Sequence, residues 1–258
     1  MTDQRGEDMG GEMIDVKTPD GVADAYLADP GRNEKGRPTV LLLMDVFGLR
    51  PQIKRMADRV ASRGFVVLAP NVFYRAGRAP LVPIDGLDDP ARRDSLFEKI
   101  RPMMHDLTPE RMASDGGAYL DRLQQGGWPA VAVIGYCMGG RMGWEIATAF
   151  PDRVAALGAF HTGGLVTDDV TSPHRKAERI AAELYFGHAD NDHSMTAEHI
   201  ATLEHALDDA GVRYRSEVYE GAPHGYTMAD SAAYHEVATE RHFAEVFALL
   251  ERTIAHEP

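Results

Sequence analysis

Short runs that are apolar at every position recur along this chain, separated by longer stretches in which apolar residues return every third or fourth position. A run with no polar face has nothing to offer water and needs cover on both sides. A parallel sheet flanked by helices supplies that cover, and few other architectures do. The runs Thr39–Met44, Phe65–Ala69, Ala130–Gly135, Val154–Phe160 and Ala182–Gly187, with Tyr214–Tyr219, read as its strands. Met13–Val16 and Ala23–Ala28 are more polar and adjoin, which predicts an antiparallel hairpin at one edge. Between the runs, Ile53, Met56, Ala57 and Val60 follow helical spacing after Pro51. Ile200, Leu203 and Leu207 do so after Thr196, and Phe243, Val246, Phe247 and Leu250 mark a last helix. The expectation is one α/β domain over residues 12–258, with a mostly parallel, doubly wound sheet, helices on both faces and an antiparallel N-terminal edge. Residues 1–11 read as a flexible tail.

One region breaks the rhythm. Residues 75–110 hold Pro80, Pro83, Pro90, Pro102 and Pro109 and the acidic cluster Asp85, Asp88 and Asp89, with a helix expected around Arg92–Ile100. Such a segment is either a long surface connection or a cap over a pocket.

Composition narrows the chemistry. Of 258 residues, 40 are Asp or Glu and 27 Lys or Arg, a formal charge of −13, which argues against nucleic-acid or anionic-membrane partners. The single cysteine closes no internal disulfide and builds no cysteine metal cage. The N-terminus is acidic and lacks an apolar leader, and no apolar run is long enough to span a bilayer, so a cytoplasmic protein is expected.

That cysteine stands in Gly135-Tyr136-Cys137-Met138-Gly139-Gly140, directly after a strand and before a helix at Arg141–Phe150. This is a nucleophile elbow with Cys in place of Ser. A sharp strand-to-helix turn needs small neighbours and lifts the sulfur to the carboxyl edge of the sheet, where open α/β sheets bind ligands. The helix N-terminus favours a thiolate, and the Met138 N–H faces the place where an oxyanion would form. The competing reading is an inert buried cysteine.

A thiol nucleophile needs a base. His224 follows the last strand in Glu220-Gly221-Ala222-Pro223-His224-Gly225-Tyr226, and the loop after the preceding strand reads Gly187-His188-Ala189-Asp190-Asn191-Asp192-His193-Ser194. The order Cys137, Asp, His224 is nucleophile, acid, base, with Asp190 and Asp192 both open as the acid. His188, Asp190, Asp192 and His193 also suggest metal ligands, but no second cluster completes a site and no metal is expected.

With these residues in place, the chain resembles the dienelactone hydrolase family of α/β-hydrolases from about residue 12 to 252. The resemblance rests on Leu43-Met44-Asp45-Val46-Phe47-Gly48-Leu49, Ala69-Pro70-Asn71-Val72-Phe73-Tyr74-Arg75, the elbow, and Gly221-Ala222-Pro223-His224-Gly225-Tyr226. It implies Asp192 as the acid, the N–H groups of Val46 and Met138 as oxyanion hole, Arg75 as a contact for a substrate carboxylate, and no cofactor. Two departures stand out. Asp45 occupies the place of a glutamate that helps generate the thiolate, and Met228 stands near a second substrate arginine. Met138, Met195 and Met228 suggest a more apolar pocket, and His161 is a candidate to face it. The implied function is hydrolysis of a small ester or lactone through a Cys137–His224–Asp192 triad and a thioester, by a monomer or homodimer. The alternative is a redox-sensing or ligand-binding protein using Cys137 as a reactive thiol, although no second cysteine exists to resolve a sulfenic acid.

Overall fold

A computed structural model describes residues 10–31, 36–83 and 90–255. Residues 1–9 of the expected tail and the cluster Asp85, Asp88 and Asp89 lie outside the described residues. The strands are β1 (Glu12–Thr18), β2 (Gly21–Ala28), β3 (Thr39–Leu43), β4 (Val66–Pro70), β5 (Val131–Tyr136), β6 (Val154–Phe160), β7 (Glu183–Ala189) and β8 (Tyr214–Tyr219). They form one sheet in the order β1-β2-β4-β3-β5-β6-β7-β8. β1 pairs antiparallel with β2, and β2 with β4; β4, β3, β5, β6, β7 and β8 run parallel. The runs read as central strands are the buried ones: every residue of β3 and β5 is buried, as is all of β6 except Ala155.

Helices cover both faces. α1 (Pro51–Ala61) packs on β4 and β2, and α6 (Glu236–Thr253) on β6 and β7; Arg59 of α1 clamps Glu240 of α6 and lies 3.8 Å over the Phe243 ring. α4 (Met138–Ala149) packs on β5, β6 and β3, and α3 (Pro109–Gln124) packs on α4. That second contact is close because Gly116 faces Ile146: a Cβ there would stand 2.3 Å from Ile146 Cγ1. α5 (Ala197–Asp209) is capped by Thr196, whose Oγ1 accepts the His199 N–H.

Two parts of the chain depart from the sequence reading. The β6-to-β7 connection contains no α-helix, only a 3₁₀ stretch at Pro173–Arg179 held on α4 by Trp144 Nε1–H donating to Pro173 O at 3.0 Å. The proline-rich region holds α2 (Pro90–Asp106), longer than the helix expected there and continuous through Pro102, followed at once by α3.

The sheet order has one reversal that matters for function. From β3 the chain steps outward to β4, then crosses back to place β5 on the other side of β3. The loops leaving β3 and β5 therefore diverge, which opens a crevice at their carboxyl ends.

Candidate active site

Cys137 sits at that crevice. It is the residue before α4, with φ 53° and ψ −118°, a left-handed conformation that costs energy for a residue with a Cβ. The glycines around it make the turn possible. A Cβ on Gly135 would come 2.3 Å from Gly139 O, one on Gly139 2.4 Å from Leu43 O, and one on Gly140 1.9 Å from Thr162 Oγ1. Met138 is the first residue of α4, so its N–H has no acceptor within the helix. Met138 and Val46, on the loop after β3, both line the crevice beside Cys137.

His224 lies on the loop after β8, and its Nδ1–H donates to Asp192 Oδ2 at 2.6 Å. The other Asp192 oxygen accepts the Ser194 N–H at 2.8 Å and the Ser194 hydroxyl at 2.7 Å. Burial opposes a charged carboxylate, but the hydrogen bond and charge of His224 and the two Ser194 donors outweigh it and hold Asp192 down at about 2. Burial likewise opposes the imidazolium; the hydrogen bond and charge of Asp192, with those of the Cys137 sulfur, bring His224 up to about 10. The loops therefore join His224 to Asp192, and Cys137 and His224 line the same crevice. Asp190 is used differently: its Oδ2 accepts the Gly221 N–H at 2.9 Å and its own N–H donates to Ala222 O at 2.8 Å, tying the acid loop to the histidine loop.

His161 lines the same crevice, with φ 39°. Its ring stands edge-on to that of His224 at 5.2 Å, Nε2 pairs with Thr227 Oγ1 at 2.8 Å, and Nδ1 is buried without a partner. Burial pushes it well below the usual histidine range, and the charge of His224 adds to this, so it is neutral.

Asp45 reaches the crevice, but its carboxylate is committed. Arg50 grips it with Nη1 at 2.6 Å and Nη2 at 3.0 Å, while Nε and Nη2 hold Asp230 at 2.7 and 3.1 Å. The guanidinium also lies 3.4 Å from Met228 Sδ, so a buried cation does stand beside Met228, already neutralised by two carboxylates. Arg75 is placed elsewhere. Its guanidinium pairs with the buried Asp115 at 2.7 and 2.9 Å and with Asp20 at 2.7 and 3.0 Å, and it is absent from the lining of the crevice.

The crevice encloses about 860 Å³. Phe47, Phe97, Met104, Leu107, Met112, Met138 and Met228 give it an apolar wall, to which the end of α2 and the start of α3 contribute. The proline-rich segment thus forms part of the site. Met195 is instead buried outside the lining. Polar groups facing the space include His224, His161, Ser194 and Arg141.

The four residues of the metal motif diverge: His188 pairs with Ser216 at 3.2 Å, Asp190 and Asp192 bind as described, and His193 is exposed. Among the described residues no group of three or more His, Cys, Asp or Glu could hold a metal ion. Among them also, no helix is long and apolar enough to cross a membrane.

Sequence reasoning passed over Ser194, Arg50, Asp230 and Arg141. Ser194 carried a local signal, since Asp-x-Ser often closes a turn on its own backbone. The others carried none.

The model of the dienelactone hydrolase family matches residues 23–254. A carboxymethylenebutenolidase of Pseudomonas sp. (strain P51) is 28% identical over 242 residues, covering 94% of this chain and 94% of that relative. Among solved structures, m3DLH superposes with TM-score 0.76 at 22% identity, covering 94% of this chain and 98% of that one. A dienelactone hydrolase-like promiscuous phosphotriesterase from metagenomic libraries superposes with TM-score 0.72 at 20% identity and the same coverage. At those identities the two structures bear on the fold.

Proposed function

The chain belongs to the dienelactone hydrolase family, and from that premise we propose that it cleaves a small carboxylic ester or lactone through a Cys137–His224–Asp192 triad and a thioester. The observation that carries this reading is the 2.6 Å hydrogen bond from His224 to Asp192, with His224 lining the same crevice as Cys137 on its strained elbow.

In this mechanism the Cys137 proton rests on His224, and the thiolate sulfur attacks the carbonyl carbon of the substrate, forming the S–C bond. The carbonyl electron pair moves onto oxygen, which in this reading the N–H groups of Val46 and Met138 stabilise. Collapse of this tetrahedral species breaks the ester C–O bond. The leaving alkoxide takes the proton from His224; from a lactone it stays attached as a hydroxyl on the acyl chain. His224 then draws a proton from water, whose oxygen attacks the thioester carbonyl, and Cys137 is released with the free acid. Asp192 fixes the tautomer of His224 throughout and stabilises its cationic form. No step calls for a cofactor. Asp45 serves here as a strut rather than a proton relay: bound to Arg50, it holds the loop that carries Val46.

The test is hydrolysis of short p-nitrophenyl esters and of a dienelactone. Wild type should turn over at least one of these, and Cys137→Ala and His224→Ala should each lose roughly 10²–10⁴-fold. Equal rates in all three proteins would remove the triad from the account.

A further inference from the structure

The sheet ends on β8, and that edge is open. Among the described residues β8 pairs with β7 alone, in register from Leu184 opposite Tyr214 to Ala189 opposite Tyr219. The Leu184 N–H donates to Arg213 O at 2.9 Å, and main-chain groups alternate in direction along a strand. Arg213, Arg215, Glu217 and Tyr219 therefore bond inward, while Tyr214, Ser216 and Val218 turn N–H and C=O away from the sheet. Such a row is a template for another strand unless proline, a bulge or a cover blunts it. β8 has no proline and no register break against β7, and Val218 is nearly half exposed on it.

What β8 carries instead is a pair of opposite charges on one face. Arg215 donates to Glu217 Oε1 at 2.6 Å and to Glu245 of α6 at 3.0 Å. Glu217 also accepts the Tyr185 hydroxyl at 3.0 Å and the guanidinium of Arg241 on α6. Tyr214, Ser216 and Val218 lie on the other face, where the Tyr214 hydroxyl donates to Asp208 of α5 at 2.9 Å and Ser216 pairs with His188. Tyr214-Arg215-Ser216-Glu217-Val218 is thus complementary to its own reverse: apolar, cation, small, anion, apolar.

We propose that the β8 edge is a docking surface for a second copy of this chain, the two β8 strands pairing antiparallel about a two-fold axis through Ser216. In that register Arg215 stands opposite Glu217 of the second copy on both sides of the axis. Tyr214 stands opposite Val218, an aromatic on a β-branched residue, which is a favourable cross-strand pair. All three outward residues then exchange main-chain hydrogen bonds with the copy. Moving the axis to a neighbouring residue sets Arg215 against Arg215 or Glu217 against Glu217, and like charges directly opposed destabilise a pair. The same charges turn away strands that lack the matching pattern. No residue of β8 lines the catalytic crevice, so this surface is separate from it.

Light scattering over a concentration series tests the proposal. Six residues a side make a small interface, so the wild type should pass from monomer to dimer between about 1 and 200 μM. Arg215→Glu opposes two carboxylates at each charge pair, and Glu217→Arg opposes two cations. Each alone should raise the dimer dissociation constant roughly 10–100-fold. Mixed in equal amounts, the two variants should form a heterodimer about as tight as the wild-type dimer, because every pair is again of opposite sign. Mixing repairs a matched interface and does not repair a misfolded chain. Ser216→Pro deletes an outward N–H and no bond to β7; it should keep the circular dichroism of the wild type and weaken the dimer at least about tenfold. A wild type monomeric throughout the series would overturn the proposal. So would single charge variants or Ser216→Pro dimerising as tightly as the wild type, or charge variants that stay apart when mixed.

Discussion

His224 donates to Asp192 at 2.6 Å, and the charges of Asp192 and the Cys137 sulfur let it keep a proton far above the histidine norm. Folding raises this group from 6.5 to about 10. Its contribution to stability is complete below about pH 6.5 and is lost as pH climbs through about 10. Asp192, lowered from 3.8 to about 2, contributes above about pH 3.8 and loses that contribution as pH falls through about 2. The Asp192–His224 pair therefore favours the folded state most between about pH 3.8 and 6.5. The same proton must reach the leaving alkoxide, so the alkaline limb of kcat/KM should lie near pH 10 in the wild type. Asp192→Asn removes the partner that supports the imidazolium; a pH–rate profile should show that limb displaced to lower pH, with kcat reduced roughly 10²–10⁴-fold. Asp190→Asn should leave the limb in place, because Asp190 binds the Gly221 N–H and does not touch His224. Spacing alone left these two aspartates unresolved. They differ in how the loop curls onto Ser194, a matter of three dimensions.

At the level of the elements, the elbow is a fit between α4 and the strand ends beneath it. Gly140→Ala drives a Cβ against Thr162 Oγ1 and should cost about 1–3 kcal/mol in urea unfolding. In a Thr162→Ala background the penalty should shrink, which a double-mutant cycle measures. Gly139→Ala should cost more, since the obstruction is the backbone of Leu43 and Met44. Arg50 is a second joint, tying the loop after β3 to Asp230 on the loop after β8. Arg50→Met strands two largely buried carboxylates and should destabilise by about 3–5 kcal/mol, read from the same unfolding curves. The elements most legible in the sequence were the central strands, because burial on both faces writes an unbroken apolar run. Val154–Phe160 carries the same bounds in the sequence as in the structure, and so does the more polar edge strand Tyr214–Tyr219. α3 was not legible as a helix of its own. Its close packing on α4 uses Gly116 and Gly117, residues that weaken a helical pattern while making the contact possible. The β6-to-β7 crossover misled for the opposite reason: a 3₁₀ stretch anchored by Trp144 takes the place of the helix that alternation implied.

Across the whole molecule, the sheet order places the loops after β3 and β5 on either side of one crevice, and the chain returns twice more, with Asp192 and His224, to complete it. The order of these residues along the chain was legible, because Cys137, the Asp190–Asp192 loop and His224 each follow a strand. The charge arrangement was not. Arg75, marked by the resemblance, is consumed by Asp115, a partner 40 positions away. Asp45 is consumed by Arg50, while Arg141 stands uncommitted in the crevice. Which cation remains available depends on which carboxylates the fold brings to the others, and no local pattern encodes that. The claim on which all of this depends is covalent: an acyl group must rest on Cys137 during turnover. Rapid mixing with a p-nitrophenyl ester should release a burst of p-nitrophenol stoichiometric with enzyme wherever deacylation is the slower step. Acid-quenched protein should then gain the acyl mass on the peptide that contains Cys137, and Cys137→Ala should show neither burst nor adduct. Undiminished turnover by Cys137→Ala, with no acyl mass on the wild-type peptide, would contradict it.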